Sequence, residues 1–205
     1  MKKALSEIFD LVPKSEARKK MKSLFLEISS KNEKVKQVQE NLLDFLGHRS
    51  SSENLKVISY VSDEYEISPF SSLNFSLKIG SLDLDIFFPK VTNLGLEFRN
   101  GSGFSKGEFG ILEPNGENSI SPYDADWILV PALGWNREGA RLGRGKGFYD
   151  RVLQDILSEK MIGLSFEDLY PCDFSAEPHD LRVGTLITEK KNHCFPGKMG
   201  EKSVG

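Results

Sequence analysis

Residues 127–130 read Trp-Ile-Leu-Val, an apolar run with no polar break, and the chain leaves it through a loop crowded with glycines and cations. A strand without alternation is one buried on both faces, as in the parallel sheets of α/β proteins. In open α/β sheets, loops at the carboxyl ends of such strands are where ligands bind. Between 131 and 147 the loop holds five glycines (Gly134, Gly139, Gly143, Gly145, Gly147) and four basic residues (Arg137, Arg141, Arg144, Lys146). Phe148, Val152 and Ile156 then recur at helical spacing, so the loop is expected to open a helix. Glycines let a backbone approach an anion closely, and successive N–H groups with a helix N-terminus supply a positive pole. Arg141, Arg144 and Lys146 add full charges, and arginine can grip a phosphate with two parallel bonds. The loop is not a Walker A motif, because Ala140 stands where the first glycine belongs and Gly147 follows Lys146. A flexible turn with solvated charges is the competing reading.

The rest of the chain supports a single α/β domain over 1–190. Pro13 followed by Lys14-Ser15 marks a helix start. Ala17, Met21, Leu24 and Ile28 form an amphipathic stripe, which Val35, Val38, Leu42 and Phe45 repeat before Gly47 supplies a stop. Two N-terminal helices are therefore expected. Strands are expected over 55–61, 82–88, 127–130, 161–166 and 183–188, with alternation at Leu94, Leu96 and Phe98 and a Gly/Ser-rich loop over 100–107. Strands alternating with helices late in the chain favour a three-layer α/β/α domain with a mixed, mostly parallel sheet. Residues 191–205 are expected to form a loose tail.

Charge narrows the functional classes. The net charge is −3 and the pI about 5.7, which argues against a dedicated nucleic-acid or anionic-membrane binder. The first 36 residues carry ten Lys or Arg against five Asp or Glu, a solvated helix face in the ordinary case. No apolar stretch reaches the ~18 residues of a membrane span, and no secretory leader is expected. Cys172 and Cys194 make no disulfide framework, and with His193 they match no zinc spacing. All of this fits a reducing, cytoplasmic setting.

Arg141-Leu142-Gly143-Arg144-Gly145-Lys146-Gly147-Phe148-Tyr149-Asp150 resembles the Arg-Leu-Gly-Arg-Gly-Lys-Gly-Tyr-Tyr-Asp signature of the 5-formyltetrahydrofolate cyclo-ligase (5,10-methenyltetrahydrofolate synthetase) family, departing only at Phe148. Pro131-Ala132-Leu133-Gly134-Trp135 resembles the strand end that precedes it there. Similar likenesses lie at Lys14 and Arg18, at Glu66-Ile67, at Phe88-Pro89-Lys90, at Glu113-Pro114 and at His179-Asp180. The chain departs from the family pattern at Gly184, where members usually carry Asp, and over 73–107.

The resemblance implies a monomeric, ATP- and Mg²⁺-dependent ligase of small molecules that cyclises 5-formyltetrahydrofolate to 5,10-methenyltetrahydrofolate, releasing ADP and phosphate. It implies ATP contacts from Lys14, Arg18 and residues Arg141, Leu142, Gly143, Arg144, Gly145, Lys146, Gly147, Phe148 and Tyr149. Arg144 and Lys146 would be catalytic. Val61, Glu66 and the stretch from Arg144 to Phe148 would border the folate, and Asp150 with Asp180 would hold Mg²⁺. Each has an ordinary reading too: Lys14 and Arg18 as a solvated helix face, Asp150 as a helix-start carboxylate, Asp180 as a turn residue, Val61 as core. His179 reads better as a structural loop residue than as a base. A same-fold relative that binds ATP or phosphate and acts on another substrate, or on none, is the main alternative. A sugar-phosphate isomerase or CoA-transferase-like enzyme would lack the 141–150 run, and an RNA-binding module is disfavoured by the acidic balance.

Overall fold

The computed structural model describes residues 12–49, 53–107 and 110–196. The first eleven residues, including Lys2 and Lys3 of the basic stretch, and the tail from 197 lie outside them.

The Pro13 carbonyl accepts from the amides of Glu16 and Ala17 at 2.9 and 3.0 Å, and so starts α1 (Lys14–Glu27). Ser30, in the left-handed region at φ 51°, turns the chain into α2 (Lys31–His48). Gly47 does not end α2; it lies within its last turn. The spacing of Ala17, Met21 and Phe25 on one helix, and of Val38, Leu42 and Phe45 on the other, sets both apolar stripes against one face of the sheet.

The sheet is built from β1 (Asn54–Ile58), β2 (Ser76–Ile79), β3 (Leu82–Thr92) and β4 (Gly95–Asn100), then later strands. A small hairpin of β5 (Phe104–Lys106) and β6 (Leu112–Pro114) occupies the expected Gly/Ser loop, because Phe104 stacks on Phe75 at 4.6 Å and meets Phe88 at 5.1 Å. After β7 (Asn118–Ile120) come β8 (Trp127–Val130), the two-stranded ribbon of β9 (Gly134–Trp135) and β10 (Arg141–Leu142), α3 (Phe148–Val152), β11 (Met161–Leu164), β12 (Thr185–Ile187) and β13 (Asn192–Cys194). The order across the main sheet is β13-β12-β11-β8-β1-β3-β4-β7, with β2 also on β3. The five neighbours β12, β11, β8, β1 and β3 run parallel. Antiparallel strands flank them: β13 on β12, β4 and β2 on β3, and β7 on β4. This is the expected mixed sheet with a parallel centre.

The parallel strands are apolar throughout because both faces are covered. Val57, Ile86, Leu129, Ile162 and Ile187 point to the core under α1 and α2. Their neighbours Ile58, Phe87, Ile128, Met161 and Leu186 point to the other core, which Tyr149, Leu153 and Ile156 close. That second layer is thinner than the 148–156 spacing predicts. α3 stops at Val152, and Leu153 and Ile156 reach the core from the turns that follow. Part of the segment expected to be loose is instead paired: Asn192–Cys194 runs along β12, tied down by His193 Nε2 at 2.8 Å from Glu167 Oε2, and the rest of that expectation, from 197, lies outside the described residues. Among the described residues no helix is long and apolar enough to cross a membrane.

Candidate active site

The glycine-rich segment leaves β8 at Val130 and folds back as the β9–β10 ribbon before entering α3. Asn136 builds the ribbon's turn: its Oδ1 accepts from the amides of Glu138 and Ala140 at 2.9 and 2.8 Å. Trp135 anchors the ribbon from beneath, with Nε1 donating to the Leu164 carbonyl at 3.0 Å. The free edge of the ribbon takes up residues 181–183, since Arg141 N donates to Leu181 O and Val183 N to Gly139 O. That docking delivers Asp180 to the loop from thirty residues further along the chain.

The loop then follows from Gly143 to Gly147. Gly145 has φ +97° and Gly147 φ +66°, a region that side chains strongly disfavour, so glycine is required at both. A Cβ on Gly143 would fall 2.3 Å from the Arg141 guanidinium, so that glycine is needed for space. The expected helix pole contributes little, because α3 is only five residues long. The positive character of the loop comes from side chains.

Arg141, Lys14 and Arg144 are matched to carboxylates, and Arg18 to a backbone carbonyl. Arg141 is buried, donates from Nε to the Pro131 carbonyl at 2.6 Å, and places Nη1 2.9 Å from Asp150 Oδ2. Asp150 Oδ1 accepts from the Leu181 amide at 3.4 Å. Lys14 Nζ, arriving from α1, sits 2.5 Å from Glu177 Oε2 and 2.7 Å from Asp180 Oδ1. Burial acts against this ammonium, but the bonds to Asp180 and Glu177 outweigh it and hold its pKa above the ordinary lysine value. One turn on, Arg18 Nε donates to the Gly143 carbonyl at 2.7 Å. Arg144 pairs with Asp63 and places Nε 3.4 Å from Glu66 Oε1. The Lys146 carbonyl accepts from Arg151 Nη1 at 3.1 Å.

Glu66 lies in the segment that follows β1, and its side chain is only 8% exposed. Burial raises its carboxyl pKa, with Arg144 opposing the rise. Tyr60 and Tyr149 surround it electrostatically, and burial pushes both phenols up. The Tyr149 hydroxyl has no hydrogen-bond partner among the described residues. Val61 is half-buried against the core beside this segment. Leu142 is fully buried, so only its backbone can face a ligand. Phe148 is half-buried under the Arg151 guanidinium, 5.3 Å from its ring.

The structure therefore gathers Lys14, Arg18, Arg141, Arg144, Asp150 and Asp180 around the loop, with Glu66 joined through Arg144. Asp150 and Asp180 both line a cavity of about 580 Å³ with Arg151, Leu181 and Ser158. Asp180 converges with Glu177 on Lys14, as Asp63 does with Glu66 on Arg144; Asp150 is engaged by Arg141. Among the described residues the one cluster of possible metal ligands is Glu177, His179 and Asp180, with atoms within 4.8 Å of one another. The Lys14 ammonium occupies the place between two of these carboxylates. Hard oxygen donors around one positive charge fit a Mg²⁺ ion. His179 is exposed, 3.6 Å from Glu177. Cys172 is buried, Cys194 is exposed and His193 is held by Glu167. Two residues of the site escaped sequence reasoning. Asp63 carried no signal beyond standing three residues before Glu66, and Glu177 none beyond standing three residues before Asp180.

Comparison with known proteins places this arrangement. The model of the 5-formyltetrahydrofolate cyclo-ligase family matches residues 11–189. A 5-formyltetrahydrofolate cyclo-ligase of Mycolicibacterium smegmatis is 41% identical over 87 residues, 41% of this chain and 45% of that protein. One of Mycoplasma genitalium is 26% identical over 182 residues, 86% of this chain and 98% of that protein. The matched segment thus spans a little under half of the first relative and nearly all of the second. The structure of Aquifex aeolicus 5,10-methenyltetrahydrofolate synthetase superposes with a TM-score of 0.66 at 24% identity, over 88% of this chain and 92% of that one. That of a 5,10-methenyltetrahydrofolate synthetase from Mycoplasma pneumoniae gives 0.64 at 20% identity, over 87% and 99%.

Proposed function

The chain belongs to the 5-formyltetrahydrofolate cyclo-ligase family, and we propose that it closes the ring of 5-formyltetrahydrofolate to 5,10-methenyltetrahydrofolate at the expense of ATP. The observation that carries this reading is the bridge made by Arg144, which joins a glycine-rich cationic loop to the buried carboxylate of Glu66. A phosphate site and a site for a hydrogen-bond-donating heterocycle thereby share one residue.

The chemistry asks for such a junction. A formyl oxygen on an amide-like nitrogen is a poor leaving group, and phosphate is a good one. The terminal phosphoryl of ATP passes to the formyl oxygen. N10 then attacks the formyl carbon, its proton is lost, and phosphate departs with the oxygen. Phosphoryl transfer needs positioning and charge neutralisation more than a protein nucleophile. Lys14, Arg18, Arg141, Arg144 and Lys146 supply the charge, and the backbone from Gly143 to Gly147 supplies the close approach. Arg144 and Lys146 border the transferred group. Glu66 accepts from the N–H groups of the pterin, and Val61 and Phe148 border the ring. Asp180, beside Glu177, would hold Mg²⁺ with Asp150 from the same cavity once Arg141 turns to phosphate, and the ion would supply further neutralisation of the phosphate oxygens.

The test is ADP release measured with and without 5-formyltetrahydrofolate. The expected result is release that depends on the folate, with one ADP for each folate consumed. Lys146→Ala should lower the affinity for ATP by about 1–3 kcal/mol, the range of a charge-assisted contact. Nucleotide hydrolysis indifferent to the folate would replace this reading with that of a relative acting on another acceptor.

A further inference from the structure

Both carboxylate partners of Arg144 lie on the segment that follows β1, and one of them, Asp63, has no place in the reaction as derived above. Asp63 is held for its task. Its Oδ1 accepts from the Tyr65 amide at 2.8 Å, and its own amide faces Glu66 Oε2 at 3.4 Å. The other carboxylate oxygen, Oδ2, is turned to Arg144 Nη2. The guanidinium is thus drawn towards Glu66 rather than out over the glycines.

We propose that Asp63 is a positioning residue, a latch on Arg144 that couples the binding of the two substrates. The proposal rests on the reading that Arg144 meets phosphate and Glu66 meets the pterin. Phosphate can claim Arg144 only after the guanidinium leaves Asp63 and Glu66. The pterin can claim Glu66 only after the same contact opens. Each ligand must break one shared ion pair, and whichever binds first opens it for the other. When a ligand binds only the open form, its apparent affinity is reduced by the fraction of molecules that are closed. A saturating partner removes that reduction, so each ligand tightens the other by the same factor. Arg144 and Asp63 are about one-third exposed, which limits the pair to the strength of a partly solvated contact. A coupling of about five-fold follows.

The experiment measures dissociation constants for Mg²⁺ with a non-hydrolysable ATP analogue, alone and with saturating 5-formyltetrahydrofolate. The parent protein should bind the analogue about five-fold more tightly when the folate is present. Asp63→Asn keeps an oxygen for the Tyr65 amide and loses the charge. It should bind the analogue more tightly than the parent in the absence of folate, and the coupling should fall towards one. A merely structural role would weaken binding instead. Asp63→Ser must behave in the same way, and Glu64→Gln, which removes a charge from the exposed neighbouring side chain, must keep the parental coupling. Parental coupling in both Asp63 variants, or loss of coupling in Glu64→Gln, overturns the latch even in a protein that turns substrate over. A parent that binds neither ligand overturns the latch and the proposed function together.

Discussion

Arg141 shows how one side chain can belong to both fold and site. Its guanidinium holds the ribbon to the strand end through Pro131 and neutralises Asp150, which in turn caps the Leu181 amide. Removing one partner of a buried pair leaves the other charge uncompensated, a loss of several kcal/mol. Arg141→Ala is therefore expected to lower stability in urea unfolding by about 3 kcal/mol, well beyond a typical surface substitution. A loss below about 0.5 kcal/mol would mean that the pair is effectively solvated. At this scale the sequence was informative where chemistry is local. Glycines alternating with cations from Gly143 to Gly147 already pointed to a backbone able to approach an anion closely, and Gly145 and Gly147 carry a positive φ. Which carboxylate each cation meets was not legible. Lys14 finds Asp180 at 166 positions' distance, and Arg144 finds Glu66 at 78. No periodicity reports such pairings, because only the three-dimensional fold brings these segments together.

Elements with a strong apolar period were legible, and elements made by pairing alone were not. α1, α2 and β8 follow from spacing, since each buries a stripe or a whole strand. α3 is shorter than its spacing suggests because turns can also bring Leu153 and Ile156 to the core. β13 has an exposed-half-buried-exposed pattern with no apolar face, and it exists because β12 offers an edge. Gly163 illustrates a constraint between elements. A Cβ there would lie 2.5 Å from Trp135 Cζ2, so the central strand needs glycine for the indole to slide beneath the ribbon. Gly163→Ala should displace Trp135, weaken its bond to the Leu164 carbonyl and lower stability by about 1–3 kcal/mol, the range of overpacking. Tryptophan fluorescence and thermal melts would report both effects. An unshifted melt and spectrum would show that the indole has room to move.

For the molecule as a whole, the parallel centre of the sheet sets a platform, and the candidate site is gathered where the chain leaves β8. The β9–β10 ribbon is fixed by Trp135, α1 delivers Lys14 and Arg18, the 181–183 segment delivers Asp180, and the segment after β1 delivers Glu66. Four separate stretches of chain thus meet at one glycine-rich loop, and Lys14, Arg18, Arg141 and Arg144 already have oxygen partners before a ligand arrives. An arrangement so balanced is suited to exchanging partners as charged substrates enter. The central claim is that this exchange ends in a new C–N bond on the folate. The most direct measurement mixes the purified protein with ATP, Mg²⁺ and 5-formyltetrahydrofolate and follows absorbance for the methenyl chromophore. The account predicts steady growth of that band, dependent on ATP and abolished when Lys146→Ala is combined with Glu66→Gln. A folded protein that binds both substrates and produces no methenyl absorbance would contradict it.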